Sequence, residues 1–278
     1  MILYVFEGEK RELEIFLTIQ HLFFHLKENH ILRSFGNNIF NLYKKITDDG
    51  KQTDERFYND IISIIREKEK DNPEFSEIKE NSQISEIYLF FDFDLQDRDK
   101  TAPLSLEEKL RRIKTLLDFF SDETDQGKLY INYPMVESFR YTKTLPDLDY
   151  WKYEYKIKDF VSFKTNTARF SDYPNLDFAC YRIRNNTISQ KDDTEKRREE
   201  LKKNWGFIIL QNLKKTNFLC NDHLELPENK ESISQIRIFE NQDQKYIKEK
   251  DYINNLNTFP LFLFDYFEAT TLLSHIMT

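Results

Sequence analysis

The sequence predicts an α/β fold, a mostly parallel sheet flanked by helices, with a mainly helical C-terminal extension. Continuous apolar runs at Ile2-Leu3-Tyr4-Val5-Phe6 and Ile87-Tyr88-Leu89-Phe90-Phe91 read as parallel strands buried on both faces. Segments of helical periodicity separate such runs, giving strand-helix alternation. Both runs also end in acid, Glu7-Gly8 after the first and Asp92-Phe93-Asp94 after the second. Ligands gather beyond the carboxyl ends of strands in open α/β sheets.

Taken in order, Gly8 turns the chain into a helix reaching about Glu28, with Leu13, Phe16, Leu17, Ile19 and Phe23 on its apolar side. His21 and His25 lie one turn apart on it. Without a Glu-x-x-His context, or a third ligand beyond His30, they read as helix-face histidines rather than a zinc site. Asn38 to Tyr43 is expected as the second strand. Asp54 to Lys70 reads as a charged amphipathic helix that buries Phe57, Ile61, Ile62, Ile64 and Ile65 and stops at Asp71-Asn72-Pro73. A polar loop, Gln96 to Pro103, follows the aspartates. Ser105 and Glu108 then have capping-box spacing, opening a helix with Leu110, Ile113, Leu116, Leu117 and Phe120 inward. Lys128 to Tyr133 is the fourth strand, and Pro134 suits its end. Glu137 would project from the start of the next helix, near the same sheet edge, with Lys143 two turns further on.

Residues 1–146 are therefore expected as the α/β domain and 147–278 as a mainly helical one, with a soft boundary and no flexible tether. The segment Tyr150-Trp151-Lys152-Tyr153-Glu154-Tyr155-Lys156-Ile157-Lys158 interleaves aromatics with lysines. Such a composition suits stacking on bases; an amphipathic segment with its rings inward is the preferred reading. From Arg140 to Arg184 nine basic residues meet six acidic ones, so a nucleic-acid track is sought there. Asp192 to Asn204 is a mixed-charge helix start that continues into the apolar Trp205 to Leu213 stretch.

A net charge of -8 argues against nonspecific coating of duplex DNA, which needs many cationic contacts, but leaves room for a site whose field is inverted by bound metal. Cys180 and Cys220 cannot form a zinc site by themselves, and a reducing cytoplasm is the expectation. Neither a membrane span nor a basic leader is expected.

Asp92 and Asp94, two apart on a strand, can point to one side. Carboxylates held that close repel unless a cation lies between them, and Mg²⁺ or Mn²⁺ would be held by one or two carboxylates plus water and phosphate. An isolated Asp-x-Asp more often ends a strand; Glu7 at a matching strand end favours metal.

With these residues in view, the order strand-Glu-Gly, helix, strand, helix, strand-Asp-x-Asp resembles the TOPRIM domain of topoisomerases, primases and certain metal-dependent nucleases. Glu7-Gly8-Glu9-Lys10-Arg11-Glu12 is similar to the start of small RloB-like and abortive-infection TOPRIM proteins, and Asn132 to Phe139 resembles their proline-then-glutamate segment. The resemblance covers roughly the first half of the chain. It implies Glu7, Asp92, Asp94 and Glu12 as metal ligands, and an effector nuclease working with a separate AAA/ABC-type ATPase in anti-phage defence. Arg11 stands where related nucleases often carry a second acid.

The leading expectation is thus a Mg²⁺-dependent endonuclease acting on DNA or RNA, with Glu7, Asp92, Asp94, Glu137 and Lys143 as the catalytic set; a homo-oligomer is compatible with it. A haloacid-dehalogenase-like phosphatase using Asp92 as nucleophile is the alternative, although that strand would normally open the fold. A noncatalytic interaction subunit is the third class.

Overall fold

Five strands make one sheet in the order β2-β1-β3-β5-β4: β1 (Ile2–Phe6), β2 (His30–Ser34), β3 (Glu86–Asp92), β4 (Ser121–Asp122) and β5 (Gly127–Asn132). This is a computed structural model that describes residues 1–24, 29–47, 57–69, 83–93, 95, 103–267 and 272. The pairings β1 to β2, β1 to β3 and β3 to β5 are parallel, and only the short β4 runs antiparallel. All five residues of β1 and residues 87–91 of β3 are buried, which is why both read as unbroken apolar runs. The chain leaves β1 toward β2 on one side and returns to pair β3 on the other. Strand order therefore reverses between β1 and β3, and a crevice opens at their carboxyl ends.

Helices α1 (Arg11–Phe23), α2 (Ile39–Thr47), α3 (Ile61–Lys68) and α4 (Leu106–Phe119) intervene. Ser105 caps α4 as its spacing predicts, its hydroxyl accepting the Glu108 N–H at 3.1 Å. The second strand is not where it was expected. Asn38 to Tyr43 belongs mainly to α2, whose buried Ile39, Phe40, Leu42, Tyr43 and Ile46 follow the helical period. The strand is His30–Ser34, at the sheet edge and only partly buried along its length, so it carries polar residues. The Asp71-Asn72-Pro73 stop, His25 and most of the Gln96 to Pro103 loop lie outside the described residues.

The C-terminal part contributes α5 (Phe163–Phe170), α6 (Glu195–Asn221), α7 (Gln235–Asn241) with a π-helical turn after it, and α8 (Phe259–Tyr266). Strands β6 (Glu154–Lys156) and β9 (Tyr252–Asn254) pair, and β7 (Ile183–Arg184) with β8 (Thr187–Ile188) forms a small hairpin. Phe262 of α8 presents itself edge-on to Tyr88, Phe90, Tyr130 and Tyr4, with centroids 5.1, 5.2, 5.6 and 6.0 Å away. That geometry suits the quadrupoles of the rings and fixes α8 on the sheet. One continuous core thus contains residues from both sides of position 146. In the aromatic-lysine segment Tyr150 and Tyr155 are buried while Lys152, Lys156 and Lys158 face outward, an amphipathic arrangement. None of the described helices is long and apolar enough to cross a membrane.

Candidate functional site

Glu7 extends β1 by one residue, since its N–H donates to the Phe90 carbonyl at 2.9 Å. That pairing sets its side chain beside the end of β3, where its Oε2 accepts the Asp92 N–H at 3.0 Å. The two acids named from separate apolar runs are therefore neighbours at the crevice.

Glu12 joins them from the first turn of α1. Its Oε1 accepts the Gly8 N–H at 3.1 Å, and a Cβ placed on Gly8 would fall 2.9 Å from Oε2. The glycine is needed for this close approach. Glu137 comes from a single 3-10 turn after β5, Val136–Arg140, and pairs with Lys164 of α5 at 2.8 Å. Together Glu7, Glu12, Asp92, Glu137 and Lys164 line an open cleft of about 470 Å³, with Lys10 and Arg11 on its wall.

Asp92 has its carboxyl pushed well above the usual range, first by burial and then by the charges of Glu7, Glu12 and Glu137; a hydrogen bond from Asn132 opposes the rise. Glu12 is raised as well, again mainly by burial, against hydrogen bonds from its own N–H and that of Gly8. Such a concentration of oxygen donors, with more negative than positive charge, has the chemistry of a hard-cation site. Among the described residues no three His, Cys, Asp or Glu side chains converge as a ready ligand cage. The reason is visible in their partners: Glu7 and Glu12 rest on backbone N–H groups, and Glu137 rests on Lys164.

Asp94 lies outside the described residues. Lys143 is not in the cleft lining. Because the turn bearing Glu137 ends at Arg140, no helix carries position 143 along the same face; Lys143 is exposed, with its ammonium 5.6 Å from the Phe170 ring centre. The cation next to Glu137 is Lys164, brought by α5 from a distance that spacing cannot reveal.

Sequence reasoning also passed over a buried amide relay. Asn132 donates to Asp92 Oδ1 at 3.1 Å, and its own Oδ1 accepts from Asn257 Nδ2 at 3.0 Å and from the Thr258 N–H at 3.1 Å. Asn257 Nδ2 also reaches Ser138 Oγ at 3.1 Å, beside Glu137. Asn132, Ser138 and Asn257 are fully buried. Desolvated amides persist only when paired, so this relay fixes the end of β3 relative to the Glu137 turn. The run Asn254-Asn255-Leu256-Asn257-Thr258, polar yet flanked by apolar residues, is the signal that could have revealed it.

Compared with family models, with curated proteins and with solved structures, the chain matches none.

Proposed function

We propose that the cleft is the active site of a Mg²⁺- or Mn²⁺-dependent phosphodiesterase acting on DNA or RNA. The observation that carries this reading is the pairing of Glu7 with Asp92 at the strand-order reversal, with Glu12 and Glu137 lining the same cleft and the mutual repulsion of these acids acting on Asp92. Glu7 and Asp92 would hold the ion, and Glu12 or Glu137 would complete its shell. Bound there, the ion would polarise the scissile phosphate and acidify a water.

The chain's own residues supply the rest. Asn132 holds one Asp92 oxygen, leaving the other for a ligand. Glu12, whose carboxyl is raised, suits acceptance of the proton from the attacking water. As the water oxygen bonds to phosphorus, the bond from phosphorus to the departing ester oxygen breaks, and that oxygen is protonated from solvent. Lys164, released from Glu137, can offset the charge on the phosphate.

The TOPRIM resemblance supports the same chemistry and adds a setting, an anti-phage effector working with a separate ATPase. The chain has no Gly-x-x-x-x-Gly-Lys-Ser/Thr loop of its own. Hydrolysis of single- and double-stranded DNA and RNA in Mg²⁺, against a chelator control, tests the activity. Glu7→Gln and Asp92→Asn should each abolish it. Full activity in both variants overturns the reading, and a beryllofluoride adduct on Asp92 would replace it with an aspartate-nucleophile phosphatase.

A further inference from the structure

Past Glu137 the cleft narrows into a slot whose wall changes sign. Arg11, Glu137 and Lys164 belong to both spaces, and the slot adds Arg140 with Asn175 and Leu176 behind it. Arg140 is 9% exposed, yet its guanidinium carries five donors, and its only described hydrogen bond is from Nη1 to the Pro174 carbonyl. The other charges that act on Arg140 are the like charge of Arg11 and the opposite charge of Glu137. Glu137 is already paired with Lys164, and Arg11 with Glu14 at 3.2 Å. No Arg140 nitrogen is among the sealed, unpartnered polar atoms of the described residues, so its remaining donors open onto the slot, where an anion could meet them. The planar guanidinium fork is suited to phosphate oxygens.

We propose that this slot binds a phosphate of a single nucleic-acid strand adjoining the one held at the carboxylates, with Arg140 as the anchor and Arg11 and Lys164 at its mouth. The inference rests on the phosphodiesterase reading for the identity of the strand, and it deepens that reading by fixing where the strand runs. It also fits the charge of the chain. A net charge of -8 argues against a protein that coats nucleic acid with cations over its whole surface, and contact through a few placed cations predicts a shallow salt dependence.

Binding of short fluorescein-labelled single-stranded DNA and RNA, measured by anisotropy in chelator so that nothing is hydrolysed, tests the slot. Arg140→Gln should weaken binding about tenfold, as expected for loss of a charged hydrogen-bonding partner. Lys164→Ala, at an exposed position where folding is not at stake, should lower the slope of log affinity against log salt by about 0.7, the single-strand value for one lost phosphate contact. A neutral methylphosphonate beside the scissile linkage should cost wild type as much as Arg140→Gln does, and cost that variant nothing more. Unchanged affinity and slope in Arg140→Gln and Lys164→Ala overturn the slot. Turnover of Glu7→Gln is followed separately in Mg²⁺, so failure of the hydrolase reading is told apart from failure of the slot.

Discussion

Two clusters of charge stand at opposite ends of the sheet, and they are built differently. Near the amino end of β5, Asp265 accepts the Tyr130 hydroxyl at 2.5 Å and pairs with Lys128 at 2.5 Å and Lys230 at 3.5 Å. Burial opposes the charge on Lys128, but Asp265 and Glu123 outweigh it and raise its affinity for the proton. Every charge there has its opposite. At the carboxyl end, Glu7, Glu12, Asp92 and Glu137 share a cleft in which Lys164 is paired with only one of them. A self-neutralised cluster holds elements together; the cleft acids, kept in place by strands and amides, would under the proposed function take up a charge from outside.

Exchange of one oxygen for nitrogen in each cluster separates the two roles. Asp92→Asn should reduce Mg²⁺-dependent hydrolysis about a thousandfold or more, the several kcal/mol that metal assistance supplies, without lowering thermal stability. Asp265→Asn should do the reverse. It leaves Lys128 with Glu123 alone, at 3.4 Å, and weakens the charged hydrogen bond from Tyr130, which should cost about 2 kcal/mol in a denaturant titration, while turnover per folded molecule stays at the wild-type value. Equal behaviour of the two variants would erase the distinction.

Asn257→Ala probes what keeps the cleft acids in place. It leaves the Asn132 oxygen with one fewer donor and frees Ser138, so about 1–3 kcal/mol of stability should be lost. Turnover should fall more than substrate affinity does, because the relay orients Asp92 and does not touch the strand. A fall in affinity alone would reassign the relay to substrate binding.

The response to pH is smaller and has a definite sign. The folded carboxyls of Asp92 and Glu12 lie above their ordinary values of 3.8 and 4.5. Their contribution to stability is therefore fully present below those values and is lost as pH rises through the folded ones. Metal-free protein should lose melting temperature relative to Asp92→Asn as pH is raised from acid to neutral, and saturating Mg²⁺ should narrow the gap. A gap that widens toward acid would contradict the assigned direction.

Much of this contrast was legible before folding, and the exceptions have physical causes. β1 and β3 announce themselves because both faces are buried, and α4 because Ser105 caps it. β2 escaped notice because an edge strand needs no continuous apolar run; Ile39 to Tyr43, equally apolar, belongs to a helix instead. Glu7 and Asp92 could be named from strand ends and glycine punctuation, Glu137 from its place after β5, and Glu12 only through the TOPRIM resemblance. Arg140 and Lys164 fell within the basic Arg140 to Arg184 stretch, but their places beside the cleft, like that of Asn257, depend on turns and packing contacts that spacing does not reveal.

The subtlest change is at the Glu7-Gly8 junction that ends β1. Gly8 has no left-handed backbone angle to explain it, so a methyl group there acts through contact alone, 2.9 Å from Glu12 Oε2. Gly8→Ala should push the Glu12 carboxylate off the Gly8 N–H and leave the strand pairing of Glu7 intact. The expected loss of stability is about 1 kcal/mol, that of a single hydrogen bond. Turnover should fall by about tenfold if the displaced carboxylate is the proton acceptor, and the acid limb of the pH-rate profile should move with it. Glu12→Gln keeps an oxygen for the Gly8 N–H but cannot take the proton. It should reproduce the loss of turnover without the loss of stability, and a Glu12→Gln protein as active as wild type would pass the acceptor's role to Glu137.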